Sequence, residues 1–377
     1  MRVQVVDPAA FTPPYDHALC AGLARAGAEV ELITSRFAYG DAPSPDGYRV
    51  RELFYRHAIG PPGSALRSLS KLAAHPGEMA RYRRIARDAD VVHFQWLPVQ
   101  WLDLYLLPER PLVLTAHDLL PREPRPGQAR AQRRLYERVD AVVVHSEYGR
   151  RALSKLGVDP HKIEVIHHGA FTDLASGPTG ALPPELAAPA GPGVLCFGLL
   201  RPYKGIAALL DAWRELERSG RVGGGDGPQL WIVGRPRMPM GELRRAAGDS
   251  VRFVLRFVSE DELRALFRRA EVVVLPYART GRFDQSGVLA TALGFGKAIV
   301  LTDVGGFSEL APQKAALLVP PDDPGALASA IGSLLEDARA RERLQRAAQA
   351  AASSTYSWQR AAEQTLALYR RVLGAHG

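Results

Sequence analysis

The sequence predicts an α/β fold made of two Rossmann-like domains, each with a parallel sheet, that face a central cleft. Short β-branched runs alternate with helical stretches along the chain, which is typical of parallel α/β layers. Residues 174–193, "LASGPTGALPPELAAPAGPG", interrupt this alternation with a composition typical of a domain boundary. A chain of 377 residues has room for two such domains.

The amino-terminal domain is predicted over residues 1–178. Its strand candidates are "RVQVVD", "EVELIT", "VVHFQW", "LVLTAHD", "AVVVHS" and "IEVIHHG". Between the first two strands, "DHALCAGLARAG" has apolar residues at helical spacing and ends at Gly27, a good helix terminator. The stretch "EYGRRALSKLG" repeats this design after the fifth strand.

The carboxy-terminal domain is predicted over residues 190–356. Its strand candidates are "VLCFG", "LWIVG", "VRFVLRFV", "EVVVLPY", "AIVLTDVGG" and "AALLVP". Helices are expected at "IAALLDAWRELERS" and "EDELRALFRRA", after "EVVVLPY", and as one long helix from about Asp323 to Ala352.

Composition and cysteine usage narrow the class of protein. The chain is 46% hydrophobic and 23% charged, as in globular proteins, and no apolar run approaches the roughly 20 residues of a membrane span. "MRVQVVDP" is a first strand and not a signal peptide, so we expect a cytoplasmic protein. Cys20 and Cys196 are isolated in apolar stretches and are expected in the core. No His, Cys or carboxylate spacing suggests a metal site, although His145, His167 and His168 follow strands.

The net charge of +8 is concentrated in two basic stretches. Residues 49–87 contain nine Lys and Arg against Glu52 and Glu78, and residues 122–138 form the second stretch. These stretches are either a solvated helix face or a surface that binds an anionic acceptor or a membrane. If they bind a membrane, we expect peripheral attachment to its inner face. Nucleic acid is disfavoured because no recognition motif accompanies the charge.

Two loops of the second domain have the design of phosphate sites. The strand "VLCFG" ends at Gly198 and leads into "LLRPYKG", which places Arg201 and Lys204 at the carboxyl end of a strand, where α/β sheets bind ligands. Arg can clamp a diphosphate and Lys adds a compact positive charge. Alternatively, these are two surface cations in a turn.

The second loop, "DQSGV", follows "EVVVLPY" and opens a helix. The backbone amides near Ser286 and Gly287 could hold an anion there, with Val288 at the helix start. Neither loop matches a Walker A or GxGxxG motif, which argues against a P-loop NTPase and a dinucleotide dehydrogenase.

In the first domain, His117 ends the strand "LVLTAHD" and is expected to face the cleft. A neutral histidine there could hydrogen-bond a sugar, or it could be purely structural, with Asp118 as its orienting partner or as a helix cap. Tyr15 and Asp16 begin the first helix near the cleft and could contact the acceptor or donor. Asp16 could equally be only an N-cap.

Taken in order, several motifs resemble the GT-B fold glycosyltransferases, and among them the retaining family 4, over nearly the whole chain. "FGLLRPYKG" resembles the diphosphate loop of that family, and "FVSEDELRALFRRAEVVVLPY" its stretch beside the nucleotide base. "ALGFGKAIVLTDVGGFSEL" resembles the elements that follow the donor site. "AVVVHSEYGRRALSKLGVDPHKIEVIHHGAF" resembles the last unit of the amino-terminal domain. "SWQRAAEQTLALYRRVL" resembles the terminal helix, so the resemblance implies that residues 357–377 pack back onto that domain.

The resemblance implies a nucleotide-sugar donor on the second domain and an acceptor on the first. It implies no cofactor and no metal, and a UDP- or GDP-sugar as donor substrate. His117 corresponds to the family histidine that contacts the donor sugar, and Arg201 and Lys204 to the cations on the diphosphate. The family usually has Arg directly after the glycine, where this chain has Leu199. The base contact is expected with the backbone from Arg256 to Val258.

This chain also departs from the family at the donor sugar. The two glutamates that the family usually carries fall on Phe283 and Thr291, and the chain resembles a subset with Gln-Ser-Gly in this loop. Thr291 could bond a ribose hydroxyl, and Asp284 or Gln285 could contact the sugar.

Three functions remain open on this basis. The first is a retaining glycosyltransferase acting in polysaccharide, glycolipid or glycoconjugate synthesis. The second is another enzyme of the same fold, such as a UDP-sugar 2-epimerase or a phosphorylase, and the scarcity of acids in the predicted cleft argues against the epimerase. The third is a degenerate member that binds nucleotide sugar or scaffolds a partner enzyme.

Overall fold

The computed structural model describes residues 1–121, 126–186, 191–223, 227–280 and 284–376. The chain divides into two compact units. Unit 1 comprises Met1–His168, Gly281–Asp284 and Trp358–Gly377, and unit 2 comprises Gly169–Thr280 and Gln285–Ser357. Each unit contains one parallel sheet, of seven strands in unit 1 and six in unit 2, which confirms the predicted fold class.

The sheet of unit 1 has the strand order β3-β2-β1-β4-β5-β6-β7. Its strands are β1 (Arg2–Asp7), β2 (Glu29–Ser35), β3 (Arg49–Phe54), β4 (Val91–Phe94), β5 (Leu112–Thr115), β6 (Ala141–Val144) and β7 (Ile163–Val165). Its helices are α1 (Pro13–Arg25), α2 (Ala65–Ile85), α3 (Gln100–Leu106), α4 (Gln128–Arg138) and α5 (Glu147–Lys155), and the final helix, Trp358–Gly374, packs on α1.

The sheet of unit 2 has the strand order β10-β9-β8-β11-β12-β13. Its strands are β8 (Gly193–Phe197), β9 (Gln229–Val233), β10 (Val251–Val254), β11 (Ala270–Leu275), β12 (Ala298–Thr302) and β13 (Leu317–Val319). Its helices are α6 (Thr172–Ser176), α7 (Ile206–Arg218), α8 (Gly241–Arg245), α9 (Glu260–Arg269), α10 (Gly287–Gly294), α11 (Pro324–Glu336) and α12 (Ala338–Ser353); the final helix of the chain is α13.

Burial explains why most strands could be predicted. The central strands β4, β5, β6 and β9 are buried at every position, as expected for parallel strands covered by helices on both faces. Their sequences are therefore continuous apolar runs. Cys20 and Cys196 are both buried, as predicted.

Two elements differ from the sequence prediction. Strand β3, "RVRELF", was missed because it lies at the sheet edge and its first four residues are exposed. The long helix predicted from Asp323 to Ala352 is wrong, because the chain forms two helices that meet at Asp337. The Asp337 carboxylate accepts the Ala340 N–H at 2.9 Å and caps the start of α12.

In each sheet, successive strands are added first toward one edge and later toward the other edge, and the position between these two sets is the switch point. In unit 1 this switch point lies between β1 and β4, and in unit 2 between β8 and β11. The loops after these strands diverge to opposite faces of the sheet and leave a crevice at the carboxyl ends, the usual ligand site of open α/β sheets. Most of the candidate site residues follow β1, β8 or β11, whereas His117 follows β5 and Val258 follows β10.

Candidate functional site

In unit 2, the side chain of Lys204 lies at the switch point and is only 4% exposed. Its ammonium group donates a hydrogen bond to the Tyr277 hydroxyl and lies 4.1 Å from the centre of that ring. The Tyr277 hydroxyl is in turn 2.9 Å from Ser286 Oγ. The sequence placed Lys204 and Ser286 on two separate loops, and the fold joins them through a tyrosine.

Gly198 forms the wall of this site beside Lys204. Its φ is +111°, a conformation that L side chains rarely adopt. A Cβ at this position would lie 3.3 Å from Lys204 Nζ and 3.0 Å from Val288 Cγ2. Glycine therefore keeps backbone and open space next to the buried ammonium group.

Helix α10 starts against the same group of residues. Ser286 is its N-cap, and the Gln285 Oε1 accepts the Ser286 N–H at 3.1 Å. Thr291 Oγ1 donates to the Gly287 carbonyl at 2.8 Å, one turn back along the helix. Lys204 is linked through Tyr277 to this helix start, which carries backbone N–H groups and a partial positive charge, a combination that favours an anion.

Two further predicted residues lie on neighbouring loops of unit 2. Arg201 is half-buried and its carbonyl accepts the Lys204 N–H at 2.9 Å, so the two cations share one tight turn. Val258 precedes Ser259, which caps α9 in a capping box with Glu262. Arg256 bonds both Glu262 and Glu185, and these bonds hold the backbone before Val258 in place.

In unit 1, His117 lies at the carboxyl end of β5 in a cluster of rings. Its Nε2–H donates to Gln95 Oε1 at 3.1 Å. The Trp96 indole stacks on the imidazole at 5.1 Å with 14° between the planes, and the Tyr15 ring meets it edge-on at 4.6 Å. The ring is thus fixed in orientation by three neighbours.

Tyr15 is the centre of this cluster and is buried. It contacts three imidazoles, at 4.6 Å for His117, 5.4 Å for His145 and 4.9 Å for His168, and the Trp358 indole at 5.0 Å. The pattern of polar residues at strand ends predicted His117, and the start of the first helix predicted Tyr15. Neither gave a signal for Trp96 or Trp358, because an isolated tryptophan is expected in any core.

Burial keeps two histidines of unit 1, His145 and His93, neutral. It lowers the pKa of His145 to about 3, and its Nδ1–H donates to the Ile166 carbonyl at 2.8 Å. Burial also lowers the pKa of His93 to about 3, and this ring bonds Tyr369 at 2.6 Å and Thr115 at 2.7 Å.

Asp16 is paired with Asp7 under the same loop. The Asp7 carboxylate accepts backbone N–H groups from Ala9, Phe11 and Thr12 at 2.5–3.2 Å. Burial, together with repulsion from Asp7, raises the pKa of Asp16 well above its ordinary value, so Asp16 carries the proton of the pair. The N-cap alternative for Asp16 is wrong, because α1 begins with Thr12 as its cap residue.

The structure gives Asp284 a position that its sequence did not suggest. It is counted with unit 1, is fully buried, and accepts the His145 N–H at 2.6 Å and the Ser146 hydroxyl at the start of α5. A Cβ on Gly149 would lie 2.8 Å from its Oδ1. Asp284 thus accepts hydrogen bonds from residues at the start of α5. Its contact with a donor sugar stays a prediction. Phe283 lies outside the described residues.

The two switch points therefore differ in chemistry. Unit 2 offers a buried ammonium group, an adjacent guanidinium and a helix start, which suit a diphosphate. Unit 1 offers imidazoles, an amide and aromatic faces, which suit hydroxyl groups and the apolar face of a sugar ring.

Comparison with known proteins assigns this arrangement to a family. Residues 15–174 match the profile of Glycosyltransferase Family 4, and residues 191–337 match that of Glycosyl transferases group 1. The chain is 30% identical to the D-inositol 3-phosphate glycosyltransferase of Kineococcus radiotolerans, over 94% of this chain and 89% of that protein. The chain belongs to the family 4 glycosyltransferases of the GT-B fold.

A second relative is also a glycosyltransferase by name, and two solved structures share the fold. The D-inositol 3-phosphate glycosyltransferase of Mycobacterium tuberculosis is 28% identical over 94% of this chain and 77% of its own length. Sucrose-phosphate synthase from Thermosynechococcus elongatus superposes with a TM-score of 0.72 at 21% identity, covering 100% of both chains. HepE from Anabaena, in complex with UDP-glucose, gives a TM-score of 0.68 at 19% identity over 98% of this chain and 100% of its own.

Proposed function

We propose that this protein is a retaining glycosyltransferase that moves a sugar from a nucleotide-diphosphate sugar to an acceptor hydroxyl. The observation that carries the proposal is the buried Lys204 ammonium group, joined through Tyr277 to the N-cap of α10 and bordered by Gly198. Family membership and this anion site point to the same reaction class.

The leaving group is the nucleoside diphosphate, which gains negative charge as the bond to the anomeric carbon breaks. Lys204, Arg201 and the amides near Ser286 and Gly287 would stabilise that charge in a site with little water. We propose that these groups act in place of a metal ion and that no cofactor takes part. The departing phosphate accepts the proton of the acceptor hydroxyl, so the protein needs no strong base.

We propose a UDP-sugar as the first donor to test, because Anabaena HepE was obtained in complex with UDP-glucose; a GDP-sugar is the second. The base would contact the backbone near Val258, and the ribose would contact Thr291. Gln285 or Asp284 would contact the sugar. His117 would bond the donor sugar from unit 1, with its ring held by Gln95 and Trp96.

The acceptor is proposed to bind unit 1 near Tyr15 and Asp16. Relatives and neighbours are named for inositol 3-phosphate and sucrose phosphate, so phosphorylated polyols and sugars form the first acceptor panel. Lipid-linked acceptors of envelope polysaccharide or glycolipid synthesis form the second.

A second candidate function is a degenerate protein that binds nucleotide sugar without transfer, or scaffolds an active partner. It is favoured by Phe283 and Thr291, which occupy the positions where the family usually has glutamates. The two candidates share donor binding and differ in turnover.

The test has two stages. A thermal-shift screen with UDP-, GDP-, ADP- and TDP-sugars identifies the donor, since a ligand at about 100 times its Kd stabilises by roughly 2.7 kcal/mol. Nucleotide release is then measured with each acceptor, and NMR gives the anomeric configuration of the product. A product with the donor's configuration supports the proposal. Donor binding without hydrolysis or transfer supports the degenerate candidate, and an inverted product contradicts retention.

A further inference from the structure

Helix α2 carries a row of exposed leucines, which we call the apolar ridge. Leu66, Leu69 and Leu72 lie three residues apart on its first two turns, and each is between 45% and 65% exposed. An α-helix places such positions on one side, within about a third of its circumference. Three exposed leucines in a row differ from the single exposed apolar residues that are common on protein surfaces.

Neighbouring elements extend this ridge. Ile59, which is 63% exposed, is held beside α2 by a hydrogen bond of 3.0 Å from its N–H to Ser70 Oγ. Trp101 and Tyr105 lie one turn apart on α3 and are 62% and 74% exposed. Aromatic residues of this kind prefer the boundary between lipid and water.

The packing of α2, α3 and α4 makes these residues part of one layer. All three helices connect strands that advance in the same direction across the sheet, so right-handed crossovers place them on the same face. Helix α3 packs against both α2 and α4. Buried His75 on α2 and buried Asp103 on α3 bond at 2.6 Å, which fixes the two helices to each other.

The same layer of helices also carries exposed cations. Helix α4 exposes Arg130, Arg133, Arg134 and Arg138, and the second half of α2 exposes Arg81 and Arg84. Within α2, α3 and α4, all inside the described part of the chain, Glu137 is the one exposed acid. Glu78 is half-buried and accepts the Tyr55 N–H at 2.9 Å, and Asp103 is buried. Residues 122–125 of the basic stretch lie outside the described residues.

We infer that this α2–α4 surface, defined by Ile59, the three leucines, Trp101, Tyr105 and the six exposed arginines, docks on an anionic phospholipid bilayer. Leucines and aromatics would enter the boundary of the acyl chains while the arginines contact lipid phosphates. No helix in the described part of the chain is long and apolar enough to cross a membrane, so the contact is peripheral. The inference stands on unit 1 alone and does not depend on the proposed reaction.

Sedimentation with vesicles tests this inference on the full chain. We expect binding to phosphatidylcholine vesicles that contain about 30 mol% phosphatidylglycerol at about 0.15 M salt. We expect weak binding to pure phosphatidylcholine, because it lacks the negative charge that attracts the arginines. Equal or absent binding to both vesicle types overturns the inference.

Two variants separate the apolar and electrostatic parts. Replacing Arg130, Arg133 and Arg134 with Gln is expected to weaken partitioning on the order of 100-fold. The matched control replaces Arg339, Arg343 and Arg346, exposed on α12 of unit 2, and should bind as the wild type does. If the control loses binding equally, net charge and not this surface is responsible, and the inference fails.

The apolar variant is Leu66→Ser, Leu69→Ser and Leu72→Ser, and it should lower partitioning at least about 10-fold at the same net charge. Circular dichroism verifies that α2 remains folded, and Leu69→Ser alone serves if the triple variant unfolds. Loss of binding in the arginine variant with full binding in the leucine variants would identify a site for soluble polyanions and overturn membrane docking.

Discussion

The two switch points occupy equivalent places in their sheets and yet differ in the charge of the side chains around them. In unit 2 a buried ammonium group is held by hydroxyls and a helix start. In unit 1 the buried bases are imidazoles, and burial lowers the pKa of His93 and His145 to about 3. The same topology thus brings together cationic groups in one unit and hydrogen-bonding and aromatic groups in the other. The difference lies in the side chains that follow the strands.

This contrast suggests that the two units bind chemically different parts of the substrates. Cations lie where a diphosphate would bind, and imidazole, amide and aromatic groups lie where sugar hydroxyls would bind. Three substitutions test the contrast.

The largest effect is expected for Lys204→Ala. Removing the ammonium group should lower kcat for donor turnover by about 10²–10³-fold, because that group would stabilise the leaving diphosphate in the transition state. Tyr277 keeps its bond to Ser286, so the fold should persist. Initial rates of nucleotide release measure the effect. Lys155→Ala, which removes an exposed lysine of α5, is the matched control. Near-normal turnover of Lys204→Ala would contradict the role of unit 2.

The second effect concerns the pH dependence of unit 1. The folded pKa of His145 is about 3 against an ordinary value of 6.5, so the unfolded state binds the extra proton as the pH falls. The stabilisation is complete above pH 6.5 and is lost toward pH 3, by about 1.4 kcal/mol per pH unit. His145→Phe removes this titration.

Urea unfolding of wild type and His145→Phe over that pH range measures the difference between their slopes. The raised pKa of Asp16 acts in the opposite direction, since its folded carboxyl keeps a proton that the unfolded one loses. That contribution is common to both proteins and cancels in the comparison. Parallel stability curves would show that His145 is not buried in its neutral form.

The smallest effect is expected for Gly198→Ala, compared with Gly220→Ala. Both glycines have positive φ, +111° and +71°, so either alanine should cost roughly 1–2 kcal/mol of stability through backbone strain. Only at Gly198 would the new methyl group also approach Lys204 and Val288; Gly220 has no atom within 4 Å of the added Cβ.

We therefore expect weaker donor binding, by about 10-fold, only for Gly198→Ala, a difference of about 1.4 kcal/mol. Titration calorimetry with the donor and thermal melts of both variants provide the measurements. Equal affinities would place the donor away from the β8 loop.

Much of the fold could be predicted because buried parallel strands leave continuous apolar runs. The edge strand β3 lacks such a run, since "RVRELF" alternates with exposed arginines. The break at Asp337 was missed because the apolar spacing continues across it, and only the cap geometry separates the two helices.

For the candidate site as well, some residues could be predicted from the sequence and some contacts could not. Sequence alone predicted Lys204, Ser286 and His117 as site residues, because polar residues that follow strands lie at one edge of a parallel sheet. It predicted Tyr15 from its place at the start of the first helix. It could not identify Tyr277 as the link between Lys204 and Ser286, nor the position of Asp284 at the start of α5.

The sequence by itself therefore determined the layered α/β architecture, the family and the loops that carry polar chemistry, because each depends on local patterns along the chain. The tertiary structure decided which of those groups meet, which remain charged and which surface stays apolar. Hydrogen-bond partners and burial depend on residues far apart in sequence: Tyr369 meets His93 across 276 positions, and Asp284 meets His145 across 139. Such long-range contacts set the local dielectric and hence the charge of each group, and no local pattern encodes them.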